Sequence, residues 1–366
     1  MTSFHTSPSI AGMLSGIFIV GGFIGRVITG NIIEKTGIKK ILYFGLAFFF
    51  VMTLLYFATA NLPLLLIVRF LHGMGFGIAS TTCGTIVAYI VPHDRRGEGI
   101  GYYALSVTIA SAIGPAIGLF LFEHGSFSLI LIVCAAVIAV SCIAAPFLKV
   151  PETGDQGQQS EVREEPPVVE KQRRRLSLDS LFEKEAIPIS IITFLVGMCY
   201  SGIVSFLAVY TKQIGISNMG SIFFIVYAVF ILVSRPFTGR LFDSKGENFV
   251  MYPLFVLFAI GLVIISQARI GFVLLLAAAF IGLGYGTFSP CAQAIAIRGL
   301  PHKRLGLATS TFFGFLDIGM GFGPFLLGLL VPIVGYSGLY LCIAVEVVIT
   351  MFLYFILHGK NALNKA

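Results

Sequence analysis

Apolar runs of about twenty residues recur along this chain, separated by short stretches that hold most of its charge. They predict eleven membrane-spanning helices, at 9–29, 41–60, 64–90, 99–122, 127–148, 187–208, 217–238, 250–267, 271–297, 305–332 and 337–357. One long polar segment, 149–186, interrupts the series. It contains "TGDQGQQSEVREEPPVVEKQRRR", charged, proline-containing and without an aromatic residue. Such a stretch cannot bury enough apolar surface to fold alone and reads as a linker. The expected class is an all-α polytopic membrane protein, with one helical bundle in 1–148 and a second in 187–366.

Composition agrees with that pattern. Of 366 residues, 57% are hydrophobic and 11% are charged, against about 25% charged in a soluble domain. Mean hydropathy is +0.95. The first apolar run is too long and glycine-rich for a signal peptide, and no small-residue cleavage site in a polar stretch follows it. The net charge of +7 does not point to nucleic acid, because the basic residues sit in short loops between apolar runs. Lys35, Lys39, Lys40, Arg95, Arg96, Arg240, Lys245, Arg298, Lys303, Arg304, Lys360 and Lys365 all fall on one side, which is therefore expected to be cytoplasmic, with the linker and the C-terminus.

The six cysteines fall inside apolar runs without metal-ligand spacing and are expected to be reduced, buried, apolar residues. "GMGFG" and "GLGYG" lie within apolar helices, not between a strand and a helix, so a nucleotide site fails on context. No P-loop occurs, which leaves ATP-driven transport without support. "RRRLS" at Arg173 reads as part of a solvated linker rather than a phosphorylation or anionic-lipid site. No metal, cofactor or enzymatic role is expected.

The chain repeats itself. Arg26, Thr29, Gly30 and Gly37 recur 209 positions on as Arg235, Thr238, Gly239 and Gly246. The same shift carries "PHDRRG" at Pro92 onto "PHKRLG" at Pro301, and Gly114-Pro115 onto Gly323-Pro324, without a gap. Two halves of one topology joined by a polar linker suggest a transporter built from parallel repeats. The helix at 187–208 has no counterpart, which would fall at about −22 to −1. The sequence is thus expected to be a twelve-helix protein lacking its first helix, through a late start or a true truncation.

"GNIIEKTGIKK" and "GRLFDSKG" resemble the loop signature of the major facilitator superfamily: a glycine, an acid four residues on, a basic residue and a second glycine. The helix must end, turn through Gly37 or Gly246, and present Glu34 or Asp243 to a neighbouring helix end. The resemblance implies two six-helix bundles and a cytoplasmic gate made by Arg26, Gly30, Glu34, Lys35 and Gly37 with Arg235, Gly239, Asp243 and Gly246. "RFLHGMGFG" is similar to the family's fourth-helix motif. Arg69 would either snorkel to the nearby surface or tune a carboxylate in the cavity, and His72 would pack or line that cavity.

"GYYALSVTIASAIGPAIG" resembles the antiporter motif of the fifth helix, with Gly101, Gly114, Pro115 and Gly118 present and Ala110 at the place of the middle glycine. Close packing by small residues and a proline bend would make it a hinge, as would Gly323 and Pro324 in the second half. Asp317 lies about 18 Å along its helix, near the bilayer midplane. Desolvation there is expected to raise its pKa and fit it to carry the coupling proton; the alternative is a structural hydrogen bond between helices. Glu346 is a second mid-span carboxylate and a further candidate for the coupling proton. Ser289, Pro290 and Gln293 would line the cavity where a proline interrupts a helix.

The whole resembles the drug and metabolite efflux branch, similar to arabinose-efflux-type permeases. That implies a monomer in the plasma membrane, a small-molecule cargo, and proton-coupled antiport by alternating access. Uptake by symport, or a truncated protein without transport, are the alternatives.

Overall fold

The computed structural model describes residues 8–124, 127–150, 181–216 and 218–360. Helices make up nearly all of them, and no strand occurs among them. The first half of the chain holds α1 (Pro8–Thr36), α2 (Ile38–Leu55), α3 (Leu62–Ile90), α4 (Arg96–His124) and α5 (Phe127–Ala144). The second holds α6 (Ile187–Gln213), α7 (Met219–Lys245), α8 (Glu247–Gln267) and α9 (Gly271–Ala296). The last helical stretch, Leu305–Tyr354, contains Gly335 at φ 67° and ψ 176°, a region that essentially only glycine enters. It is two helices turned at one residue, α10 (305–334) and α11 (336–354). Nine helical stretches among the described residues, the last one counted once, are long and apolar enough to cross a membrane.

Each expected span has its helix, but α1 and α7 run further than their apolar cores. Both carry the polar motif in their last turns and stop at Gly37 and Gly246, whose φ values are 94° and 85°. A left-handed glycine ends a helix without a Cβ clash, so the same residue sets the same corner in both halves. Pro92 and Pro301 match likewise, at φ −56° and −65°, each followed by one 3₁₀ turn. The repeat in sequence is a repeat in backbone.

α1 packs on α3 and α2 on α3, while α6 packs along the Leu305–Tyr354 stretch and α9 lies against α7 and α8. The two halves meet along two seams, α1 with α10 and α4 with α7. Large apolar side chains on the outer surface, such as Phe147, Phe272 and Ile333, stand where lipid chains would cover them. The cysteines are less uniform than expected: Cys199 and Cys291 are buried, whereas Cys134 and Cys342 face outward.

Most of the expected linker, 151–180, lies outside the described residues, as does "RRRLS". Its two described ends are packed rather than free. Val150 is buried with Ile33, Ile38 and Ile86. Glu183 is fully buried; its backbone N–H donates to Thr311 Oγ1 at 2.9 Å, and its carboxylate meets Arg304 at 2.7 Å. The segment 181–186 therefore belongs to the second half. Its few apolar residues are too short a run to show that in sequence.

Candidate functional site

The α1–α10 seam is built on small residues. A Cβ at Gly30 would collide with the Ser310 side chain, and one at Gly306 with Ile33. The Ser310 hydroxyl donates to the Arg26 carbonyl at 2.7 Å. One turn along, the close approach brings together two charged side chains 291 positions apart. Arg26 Nε lies 2.6 Å from Asp317 Oδ2, and Nη2 lies 3.3 Å from Oδ1. Two parallel N–H···O contacts of this kind are the strongest geometry open to a guanidinium and a carboxylate.

Arg26 Nη1 donates to Ser80 Oγ at 2.9 Å and Thr81 Oγ1 at 3.2 Å on α3. The rings of Phe313 and Phe76 flank the guanidinium at 4.9 and 5.6 Å. The Arg26 side chain is 5% exposed and that of Asp317 is 21% exposed. Arg26 is thus not part of the loop gate. It stands ten residues, about 15 Å, before the end of α1, and serves as the partner of Asp317.

Arg235 occupies the same place in α7. It is 5% exposed, and Nη2 donates to the Gly286 carbonyl on α9 at 2.8 Å. Its Nε has no hydrogen-bond partner, and among the described residues no carboxylate pairs with it. The residue that mirrors Asp317 is Thr108, whose hydroxyl is bound to the Ala104 carbonyl.

The motif acids reach across to the other half, at the end of the bundle that carries the basic loops. Asp243 accepts the backbone N–H groups of Gly97 and Glu98 at 2.9 and 3.0 Å, capping the start of α4 across the α4–α7 seam. A Cβ at Gly239 would collide with the Glu98 backbone, which explains the glycine. Glu34 takes the Gly306 backbone N–H at the start of α10. It also lies 2.9 and 3.0 Å from the Tyr89 hydroxyl, itself 2.7 Å from the His302 carbonyl. Arg96 adds a bond across the halves, to the Ile297 carbonyl at 2.9 Å. Lys35 is exposed. A cavity of about 400 Å³ lined by Asp94, Arg95, Glu98, Arg240, Asp243 and Ser244 opens beside this contact.

The expected hinge glycines divide. A Cβ at Gly323 would strike Ser201 and Met198 on α6, so that glycine does permit a close crossing. Pro324 follows it inside the helix. At Gly114 and Gly118 a Cβ would find no described atom within 4 Å, and at Gly101 only Arg235, at 3.9 Å. Among the described residues, the outer part of α4 has no close neighbour at Gly114 and Gly118 in this geometry. The side chain of Pro115 falls outside the described residues.

The other candidates stand apart from the ion pair. His72 bonds Thr53 Oγ1 through Nε2 at 3.1 Å and the Tyr56 hydroxyl through Nδ1 at 3.2 Å, and stacks on Phe49 at 4.5 Å. Thr53 spends its own proton on the Phe49 carbonyl, so Nε2 is the donor. This is a packing histidine. Arg69 donates to Tyr56 at 3.3 Å and lies over the Phe18 ring. Glu346 bonds Cys199 where α11 meets α6. Ser289 is half-buried and Pro290 buried within α9. Gln293 is buried against Gly84, its own repeat mate.

Sequence reasoning did not single out Ser80, Thr81, Tyr89 or Glu183.

Comparison with known proteins adds the following. The family model described as Major Facilitator Superfamily matches residues 1–268 and 250–366. An uncharacterised MFS-type transporter of Methanocaldococcus jannaschii is 24% identical over 90% of this chain and 84% of its own. The staphylopine export protein of Staphylococcus aureus is 21% identical over 95% of this chain and 87% of its own. Among solved structures, the human organic anion transporter TETRAN superposes with a TM-score of 0.75 at 16% identity, over 94% of this chain and 83% of its own.

Proposed function

Because the chain belongs to the major facilitator superfamily, we propose that it is a secondary transporter that expels a small organic compound in exchange for protons, by alternating access. The basic end faces the cytoplasm, as loop charge favours, and the protein works as a monomer in the plasma membrane. The contacts of Asp243, Glu34 and Arg96 all lie at that end, so this geometry is one in which the cytoplasmic side is shut.

The observation that carries the reading is the Arg26–Asp317 pair, the bidentate ion pair that joins the two halves. A proton delivered to Asp317 cancels its charge and weakens the bond across the seam. Arg26 keeps its hydroxyl partners on α3, in its own half. The halves then separate more readily at the seam, and loss of the proton on the other side of the membrane closes it again.

The test uses the full chain in proteoliposomes with an imposed proton gradient. Asp317→Asn is expected to abolish proton-driven flux while leaving membrane insertion intact. An unchanged pH dependence of flux removes Asp317 from the mechanism. Accumulation rather than expulsion of cargo under an inward proton gradient makes the protein an importer.

A further inference from the structure

Arg235 is a membrane-buried cation whose counter-charge is missing from the described residues. Burying a guanidinium without an anion is costly, and the repeat shows how the cost is met elsewhere: Arg26, at the mirrored position, has Asp317. Arg235 has one backbone carbonyl and an Nε that donates to nothing. Ser234 and Thr287, the nearby hydroxyls, lie 3.1 Å from each other. Across the seam stands Gly101, so the α4 backbone passes the guanidinium with no side chain between them.

The surroundings suit a ligand with an anionic end and a flat apolar body. Two turns along α7 from Arg235, about 12 Å, is Tyr227. Its ring lies 5.8 Å from that of Tyr200 on α6, and Tyr200 stacks on Tyr285 of α9 at 3.8 Å with 9° between the planes. Tyr285 is the neighbour of Gly286, whose carbonyl holds Arg235. Cation and aromatic stack thus share α7 and α9.

We infer that Arg235 receives the anionic group of the cargo, and that the cargo is a small organic carboxylate whose apolar body lies along Tyr200, Tyr227 and Tyr285. The inference rests on the transporter reading above. A planar carboxylate matches the guanidinium fork. Bound there, the cargo stands toward Arg235 as Asp317 stands toward Arg26, and the loaded carrier has no unpaired charge at either mirrored position.

The chain has 13 tyrosines and no tryptophan, so energy transfer from tyrosine to a naphthalene ring reports binding directly. The full-length protein in lipid nanodiscs is titrated with 1-naphthoate and with its neutral isostere 1-naphthamide, and empty nanodiscs are subtracted. Saturable transfer to naphthoate is expected, with the amide at least tenfold weaker. Arg235→Gln is expected to weaken naphthoate at least tenfold and to erase the preference over the amide, with Arg235→Lys in between. Thr108→Asp, which supplies the mirrored carboxylate from within the chain, is expected to weaken naphthoate too, and reads the same charge without removing the arginine.

The proposal is overturned if naphthoate does not bind saturably, if acid and amide bind alike, or if folded Arg235→Gln binds as the parent does. Equilibrium binding needs no gradient. Carboxylate binding without flux therefore overturns the transport reading alone, and flux without a preference for the carboxylate overturns this inference alone.

Discussion

Arg26 and Arg235 each stand ten residues before the end of their helix, on the seam between the two halves, in the same register of a 209-residue repeat. One meets a carboxylate from the other half of the chain. The other meets a backbone carbonyl of its own half and faces a glycine. The corners around them are the same, down to the left-handed glycines at 37 and 246 and the prolines at 92 and 301. Backbone geometry has been kept in both repeats while charge chemistry has not. The first seam is electrostatically closed on itself; the second leaves a cation to be answered from outside.

The largest expected effect lies at the closed seam. Asp317→Ala leaves Arg26 buried and unpaired, and breaking such a pair costs about 3–5 kcal/mol when both partners are buried; the partial exposure of Asp317 puts this one toward the lower end. Thermal unfolding in detergent is the measure. The double replacement Arg26→Met with Asp317→Leu should recover most of the loss, because no bare charge remains. Arg235→Met, by contrast, removes a charge that has no ionic partner among the described residues and should leave the midpoint unchanged or raise it. Equal losses for Asp317→Ala and Arg235→Met would erase the distinction between the two seams.

A smaller effect separates the mirrored glycines. Gly323→Ala forces a methyl into Ser201 and Met198 and should cost roughly 1–3 kcal/mol, the usual range for overpacking. Gly114→Ala meets open space and should stay within about 0.5 kcal/mol. If Gly114→Ala instead blocks transport without lowering stability, the open site is one that closes in another state of the cycle.

The smallest effect concerns the second half alone. Burial pushes the Glu183 carboxyl above its ordinary value of 4.5, with Arg304 partly opposing. The folded protein then holds that proton more tightly than the unfolded chain. Stability should fall as pH rises from about 4.5 through the folded value, and level off above it. Glu183→Gln should flatten that part of the pH–stability curve; an identical slope in the variant would show that Arg304 cancels the burial.

Much of this molecule was legible in its sequence because lipid imposes simple rules: long apolar runs, glycine corners and charge confined to loops. Asp317 stood out for the same reason, as a carboxylate where none is cheap. Its partner did not. Arg26 was grouped with Glu34 because both lie in the same repeated stretch, yet the eight residues of helix between them are two turns and about 12 Å. The bond that matters to Arg26 spans 291 positions, and only the folded seam reveals it. Gly114 and Gly118 could not be placed from sequence for a different reason. A small residue permits a neighbour to approach but does not supply one. His72 has a hydroxyl at each ring nitrogen and a phenyl ring stacked on it, none of which its place in the sequence could name.

Gly335 has one more implication, for anyone who would cut or extend this chain. The turn between α10 and α11 is a single residue in a conformation closed to the other nineteen amino acids, so it contains no slack. An epitope, a reporter domain or a protease site placed there would have no loop to occupy and would have to unwind helix on either side. A corner with no slack would also carry α11 along with any tilt of α10, so the distance between a pair of labels flanking residue 335 should stay fixed while both helices move against the rest of the bundle.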